Sequence, residues 1–306
     1  QHDQGLKTFS YAFDNYELQG GNTEELIFEE LHEFVDMIFN KEATALAYVK
    51  KMYRFFVKSE WDQDIETNIL MPLAEQLYEG DYEILPVIKR LLASQHFFDA
   101  ADSDPSDEII GSIIKSPLQL LSSTITNLGF NIPDPENDME NYYKFVMFFM
   151  RNTYFPMAGM NLFAPDTVAG HPAIYQSPDF DRHWFSSSTI LARYRLIECL
   201  ITGRNKLGGN GQFGSELDTV AFVENNSNNP SNIYYLVDEI ANILYPNPID
   251  EDRVNYFADL ILEGYPSYYW TDTWDEYIAT GENTIVKTRL DLLIGAMINA
   301  PEYQLM

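Results

Sequence analysis

The segment 179–183, Asp-Phe-Asp-Arg-His, contains residue types whose spacing suits metal chemistry. Alternate residues of an extended chain point the same way, so Asp179, Asp181 and His183 could surround one ion. His171 lies upstream as a further ligand. Zinc or manganese suits such mixed oxygen and imidazole ligands, and a metal-bound water could act as a hydrolytic nucleophile. Short motifs often match by chance, however, so the favoured interpretation is a polar loop with ordinary surface contacts.

A second acidic segment, at 99–108, superficially resembles a calcium-binding loop. Its carboxylates alternate with other residues, but the sequence lacks the glycine and the ligand spacing that such a loop requires. The serines and the proline between the acids favour a flexible insertion between two helices instead. The sequence therefore specifies no cofactor, and a divalent metal is an option mainly at the 171–183 loop.

Aromatic residues cluster at 265–277, where Tyr268, Tyr269, Trp270 and Trp274 are interleaved with acids. Such rings give a large contact area at low entropic cost, so the cluster could stack on a sugar ring or bind a protein. The competing interpretation is that they pack the C-terminal helices together, because aromatic residues are most often buried. We favour packing and keep a glycan- or protein-binding surface as the alternative.

Composition restricts the remaining classes of function. The 306 residues are 45% hydrophobic and 22% charged, as in folded proteins, and no apolar run is long enough to span a membrane. The formal charge of -28 repels phosphate backbones, so we expect no nucleic-acid partner. The sequence contains neither a phosphate-binding glycine loop nor a Gly-x-Ser-x-Gly nucleophile motif. Cys199 is the single cysteine, and its apolar neighbours indicate that it packs in the core.

Apolar residues recur at helical spacing along most of the chain, and strand signals are few. The predicted fold is mainly α, an irregular multi-helix globular assembly with long ordered loops and little strand. The opening to Gly21 is predicted to be extended or looped, and the proline-rich stretch 153–185 is predicted to be a loop. Residues 1–306 are expected to form one large domain or two closely packed ones, with a possible subdivision into 1–152 and 153–306. Helices are predicted after Thr23 and at about 42–57, 65–78, 82–94, 117–128, 137–152, 186–201, 233–244, 250–262 and 283–299.

The proline-rich loop and the helix after it carry an ordered motif. Its residues are Gly159, Leu162, Phe163, Pro165, Val168, Gly170, Pro172, Trp184 and Arg193. This motif resembles that of the DUF1800 family, in which Gly-Gln-x-Leu-Phe-x-Pro-Pro-x-Val-x-Gly-Trp-Pro precedes a Trp and a helix with an Arg. The resemblance implies that these residues organise the fold. The sequence departs from the family pattern at Met160, Asp166 and His171, so no role transfers to those three positions.

Further segments match the family in the same order. They lie at 2–7, 34–56, 114–117 and 300–304. The resemblance therefore runs along the whole sequence, and it implies that the chain is the C-terminal part of a family member whose N-terminal half would precede His2.

The resemblance also implies an exported bacterial protein, located in the periplasm, on the cell surface or outside the cell. Such proteins are often encoded beside a member of the DUF1501 family, and the Asn and Tyr content of the C-terminal stretch is similar to that of proteins of Bacteroidota. The leading hypothesis is a non-enzymatic structural or interaction protein of the bacterial envelope or exterior. Its expected partners are the N-terminal half of the family domain, a DUF1501-type protein or a glycan.

Overall fold

The computed structural model describes residues 2–98, 113–162, 164, 181–209 and 211–306. Within these ranges the protein is mainly α-helical with a single two-stranded sheet, which confirms the predicted fold class. The chain divides into two compact units, Gln1–Ile109 and Ile110–Met306. This boundary precedes the subdivision after residue 152, because Phe145 and Phe149 pack in the core of the second unit.

The first unit opens with a hairpin, in which strand β1 (Leu6–Thr8) pairs antiparallel with strand β2 (Glu17–Gln19). Helix α1 (Glu24–Phe39) follows and begins at Thr23, as predicted. The Thr23 hydroxyl accepts a hydrogen bond from the Leu26 N–H at 3.3 Å, and so satisfies a donor that the first helical turn leaves free. The two strands agree with the extended or looped structure predicted for the opening residues, although the sequence did not predict their pairing.

The rest of the first unit is helical and encloses its own core. Helices α2 and α4 pack against each other and bury Val49, Tyr53 and Leu77. The elements are α2 (Glu42–Phe56), α3 (Gln63–Ile65), a π-helical segment (Glu66–Leu70), α4 (Met71–Glu79), α5 (Ile84–Leu92) and α6 (Gln95–Phe98).

The second unit contains the remaining helices. They are α7 (Pro117–Asn127), α8 (Met139–Tyr143), a π-helical segment (Lys144–Tyr154), α9 (Phe155–Met157), α10 (Ile190–Thr202), α11 (Thr219–Asn226), α12 (Ile233–Leu244), α13 (Glu251–Leu262), α14 (Tyr268–Thr280), α15 (Thr284–Asn299) and α16 (Pro301–Gln304). A short 3-10 turn, Arg182–Trp184, precedes α10. None of the helices in the described ranges is both long and apolar enough to cross a membrane.

Helix α15 is the centre of the second core, since it contacts α10, α11, α12, α13 and α14. Its residues Leu290, Leu293 and Ile294 are fully buried, as expected for a helix with neighbours on several sides. Cys199 on α10 is also fully buried, which confirms that it packs in the core. Burial raises the pKa of its thiol to about 11, so the thiol stays protonated and unreactive at neutral pH.

Three helical stretches differ from the sequence prediction. The helix expected to end at Asn152 continues to Met157, so the predicted loop at 153–185 begins later. Pro156 lies near the end of this continuous helical stretch, directly after the π-helical segment. Helices α11 and α14 were not predicted, because polar and aromatic residues obscure their apolar spacing.

Candidate functional site

The structure places two of the four predicted metal ligands, Asp181 and His183, beside the 3-10 turn. Asp181 is buried, and its Oδ2 accepts a hydrogen bond from the Ile114 N–H at 2.6 Å. The His183 ring packs on the adjacent Trp184 ring with their centroids 3.7 Å apart. The other two predicted ligands, His171 and Asp179, lie outside the described residues, as does the acidic segment 99–108. Among the residues that are described, no group of three or more His, Cys, Asp or Glu could hold a metal.

Arg193 on α10 is fully buried and joins distant parts of the second unit. Its Nε donates to Gln304 Oε1 at 3.0 Å, and one of its terminal nitrogens donates to the Lys115 carbonyl oxygen at 2.8 Å. The guanidinium also lies over the Phe185 ring, 5.5 Å from its centroid. Its other terminal nitrogen has no hydrogen-bond partner within the described ranges. The motif arginine therefore acts as a structural cross-link between segments.

Lys115 is a second buried cation in the same network. Its Nζ donates to the Tyr303 carbonyl oxygen at 2.7 Å and lies 3.9 Å from the centroid of the Tyr303 ring. Burial, and secondarily the positive charge of Arg193, lowers the pKa of Lys115 to about 8. A backbone bridge between Ile114 and Leu305 continues the connection. Residues 113–115 are thus fastened to the C-terminal segment by both side-chain and backbone bonds.

Two other described motif residues, Gly159 and Trp184, contact Thr189 just before α10. Gly159 has a φ of 84°, in the left-handed region, and a Cβ there would lie 3.1 Å from Thr189 Cγ2. Thr189 donates through Oγ1 to the carbonyl oxygen of the buried Trp184 at 2.9 Å. Leu162 is partly exposed. The remaining motif residues lie outside the described residues, namely Phe163, Pro165, Val168, Gly170 and Pro172.

Most of the aromatic cluster lies on helix α14, with Tyr265 just before it, and its members differ in exposure. Trp270 and Trp274 are buried, and Trp270 Nε1 donates to the Pro230 carbonyl oxygen at 2.8 Å. Tyr268 is 66% exposed. The rings of Tyr265 and Tyr269 stack with centroids 4.8 Å apart. The two tryptophans therefore pack α14 onto the core. Of the predicted binding residues, only the tyrosines remain accessible to a ligand.

Helix α1 presents an unexpected apolar surface in the first unit. Of its 16 residues, only Glu30 and Met37 are buried. Five large apolar side chains on the helix are exposed by 36% to 55%. We call these residues the α1 face: Leu26, Phe28, Leu31, Phe34 and Val35. Several large apolar side chains exposed on one helix are typical of an interaction site.

A pocket of about 320 Å³ opens between the α1 face and the hairpin. Phe9 and Leu18 of the hairpin and Ile27, Phe28 and Leu31 of α1 supply most of its apolar lining. These side chains come from elements on either side of the opening, so the pocket depends on how the hairpin sits against α1.

Glu30 fixes that arrangement. Its buried carboxylate accepts hydrogen bonds from Lys7 Nζ at 2.7 Å and from the Gly21 N–H at 2.8 Å, and it pairs with His2 Nε2 at 2.7 Å. These three interactions, the one with Lys7 foremost, lower the pKa of Glu30 to about 2. A Cβ at Gly21 would lie 2.4 Å from the Leu26 carbonyl carbon, so glycine is required at this close approach to the helix.

The sequence predicted α1 but did not identify its exposed face. Leu26, Leu31, Phe34 and Val35 have the spacing of a helix that packs on a core, and this spacing does not say whether the same chain covers them. One signal was present in the sequence. Apolar residues at 26–28, 31, 34–35 and 38–39 cover more of the helix circumference than one buried face needs.

A comparison of the sequence with protein-family models identifies the family of the chain. The model of DUF1800, a family described as a protein of unknown function, matches residues 1–305. Neither the curated proteins nor the solved structures include a match to the chain. The family match spans the fastened C-terminal segment, the Arg193 network and the α1 face alike, and it confirms the resemblance found in the sequence. The chain belongs to the DUF1800 family.

Proposed function

We propose that the protein is an interaction protein whose first unit binds another protein through the α1 face. The observation that carries this proposal is the exposure of five large apolar side chains on a single helix beside an apolar pocket. Covering such a surface removes apolar area from water, which is the main favourable contribution to protein association. The buried network around Arg193 gives the second unit a supporting, structural role.

The compartment is proposed from the family resemblance alone. An exported protein in the periplasm, on the surface or outside the cell would meet partners such as a DUF1501-type protein or the N-terminal half of the family domain. The acidic surface agrees with a soluble, well-hydrated protein in such a setting.

A photo-crosslinking amino acid at Leu31 tests the proposed function in cells that produce the protein. We expect one discrete crosslinked product, because Leu31 is half-exposed at the centre of the α1 face. Leu85 on α5 is a matched control, since it is a leucine of the same unit that is 61% exposed outside the α1 face. Equal crosslinking at both positions, or none at Leu31, would contradict the proposal.

A second candidate function is glycan or protein binding on α14. The stacked pair Tyr265 and Tyr269, with the exposed Tyr268 beside it, favours this alternative because exposed rings can stack on a sugar. Titration with a panel of soluble oligosaccharides, monitored by tyrosine and tryptophan fluorescence, tests it. Saturable binding that is lost in Tyr268→Ala, with the fold retained, would support this alternative over the α1 face.

A metal-dependent hydrolase is the third candidate. The observation in its favour is Asp181 Oδ1, a buried oxygen for which the described residues offer no hydrogen-bond donor. Metal analysis of the untreated protein, followed by melting curves with zinc, manganese and calcium, tests it. An absence of bound metal together with an unchanged Tm would exclude this activity.

A further inference from the structure

We infer that the second unit binds a phosphate monoester, such as a sugar phosphate, in a pocket between helix α10 and the glycine-rich loop that follows it. This pocket shares no residue with the α1 face, so the inference goes beyond the proposed function and does not rest on it. Three features lead to it: the two cations of the pocket, the fixed course of the loop and the free backbone donors of the loop glycines.

The pocket, which we call the α10 pocket, has a volume of about 440 Å³. It is lined by Arg195 of α10 and by Asn205, Lys206, Gly208 and Gly209 of the loop. Two of these lining residues are positively charged and none of them is negatively charged. The chain as a whole contains 47 Asp and Glu against 19 Lys and Arg, so the pocket has the opposite charge to the rest of the protein. Such a lining attracts an anion.

Both cations of the α10 pocket retain donors for a ligand. Arg195 Nη1 donates to the Lys206 carbonyl oxygen at 2.8 Å, which holds the guanidinium beside the loop. Its Nε and Nη2 donate to no described residue, and Lys206 Nζ has no ion-pair partner in the described part of the chain. The one acid of α10, Glu198, lines a different groove with Asp291 of α15. Arg195 therefore offers a planar fork for phosphate oxygens, and Lys206 adds a second positive charge.

Hydrogen bonds fix the course of the loop against α10. The Lys206 N–H donates to Sγ of the buried Cys199 at 3.3 Å. The Leu207 N–H donates to Asn205 Oδ1 at 2.9 Å, and the Asn205 N–H donates to the Gly211 carbonyl oxygen at 2.9 Å. Because these bonds hold the backbone of the pocket in place without a ligand, little of the binding energy is needed to order the loop.

The glycines of the loop add backbone donors to the pocket. Gly208 has a φ of 150°, and no heavy atom lies within 4 Å of the position of a Cβ there, so glycine serves the backbone conformation and not packing. The N–H groups of Gly208 and Gly209 donate to no described residue. Backbone N–H groups of such loops are typical donors to the oxygens of phosphate.

A π-helical segment, Lys144–Tyr154, supports the same loop. Asn205 Nδ2 donates to Thr153 Oγ1 of this segment at 3.4 Å, and Thr153 Oγ1 in turn donates to the Phe148 carbonyl oxygen at 2.8 Å. Helices of the π type are rare and occur frequently at functional sites. This contact is an independent indication that the α10 pocket has a function.

Charge and size select a phosphate monoester among the anions. Arg195 and Lys206 together carry two positive charges, which match the roughly -1.5 to -2 of a phosphate monoester at neutral pH. A carboxylate or a sulfate ester has only a single negative charge. The volume of the pocket is within the range of about 300–1,000 Å³ that is usual for small-molecule sites, so it has room for an organic group attached to the phosphate.

Calorimetric titration of the intact protein tests the inference. The probes are glucose phosphate, glycerol phosphate and phenyl phosphate in about 0.15 M sodium chloride, which screens general electrostatic attraction. We expect at least one of these esters to bind with a Kd of about 1 mM or tighter. Glucose sulfate has less negative charge and inorganic phosphate has no organic group, so each should bind at least about tenfold more weakly. Glucose alone should not bind.

Variants locate the binding of the tightest ester. Arg195→Met and Lys206→Met should each weaken it about tenfold or more, and the double variant should abolish it. The control is the double variant Lys89→Met and Arg90→Met, because both are exposed cations on α5 of the first unit. This control changes the net charge by the same amount and should leave binding unchanged. Circular dichroism confirms that each variant is folded.

Several outcomes would overturn the inference. They are an absence of binding by all three esters, unchanged binding in Arg195→Met and Lys206→Met, and an equal loss of binding in the α5 control. Equal affinity for inorganic phosphate or for glucose sulfate would also overturn it, because the pocket would then not select a phosphate monoester. Each of these results leaves the proposed function intact, since crosslinking at Leu31 reports on the first unit. Ester binding without a crosslink at Leu31 would support the inference and contradict the proposed function.

Discussion

Arg193 shows how much a single motif residue contributes to the second unit. Its guanidinium is fully buried and bonds to Gln304 and to the Lys115 carbonyl oxygen. Arg193→Met would remove both bonds and leave their acceptors buried without a donor, so we expect a loss of about 2–4 kcal/mol in the free energy of unfolding. Urea unfolding measures this loss. Arg195→Met is the control, because Arg195 is exposed on the same helix and should change stability by less than about 1 kcal/mol.

Lys115 makes the stability of the second unit depend on alkaline pH. Its folded-state pKa of about 8 lies below the ordinary value of 10.5, so burial of the charged form costs stability in full below pH 8. This cost is relieved as the pH rises from 8 to 10.5. We therefore expect wild type to gain on the order of 2 kcal/mol relative to Lys115→Met between pH 7 and pH 10. Urea unfolding of both proteins at the two pH values checks this, and a constant difference would contradict it.

Glu30 gives the first unit a pH dependence of the same sign, in the acidic range. Its folded-state pKa of about 2 lies below the ordinary 4.5, so its contribution to stability is present above 4.5 and is lost as the pH falls towards 2. Relative to Glu30→Gln, wild type should lose stability between pH 5 and pH 3. Urea unfolding of the two proteins measures the change. The exposed Glu33 provides the control variant Glu33→Gln, for which we expect a smaller change.

At the scale of the element, α14 depends on its buried tryptophans. Trp270 is fully buried and bonds to the Pro230 carbonyl oxygen, so Trp270→Ala should reduce the free energy of unfolding by about 3–5 kcal/mol. Tyr268 is largely exposed on the same helix, and Tyr268→Ala should change it by less than about 0.5 kcal/mol. Chemical denaturation compares the two variants. Equal, small effects would show that Trp270 does not hold α14 onto the core.

The sequence predicts those elements whose signals are local. Helices α1, α7 and α13 begin where Thr23, Ser116 and Asp250 accept hydrogen bonds from the first turn, and such caps can be recognised from residue type alone. Helix α14 has no side-chain cap, and acidic residues interrupt its aromatic residues. Its helical form depends on packing against its neighbours, which a single sequence does not reveal.

The site is less predictable than the elements for a similar reason. The motif around Arg193 was identified from its residues, but its bonds to Lys115 and Gln304 join positions far apart in the chain. The sequence predicted that the residues of the α1 face lie on a helix, but it did not predict that their side chains are exposed. Apolar spacing specifies which residues share a side of a helix, whereas exposure depends on what the rest of the molecule places against that side.

At the scale of the whole molecule, the protein has two separate hydrophobic cores. The buried residues of one cluster come from the first unit and those of the other from the second. Leu77→Ala should therefore accelerate amide hydrogen exchange mainly in α2 and α4, and Leu290→Ala mainly in α13 and α15. Hydrogen exchange with mass spectrometry measures both. Equal acceleration in both units from either variant would show that the cores unfold as one.

The bond from Lys115 to Tyr303 has a consequence for the order in which the protein folds. It joins residues 188 positions apart, so it cannot form during synthesis until the ribosome has released the end of the second unit. Until then Arg193 and Lys115 lack the acceptors that Gln304 and Tyr303 later supply. Closing so long a loop is slow, and incompletely folded chains expose apolar surface in the meantime. The nascent second unit is therefore expected to need chaperone protection late in translation, whereas the first unit, with its own core, can fold early.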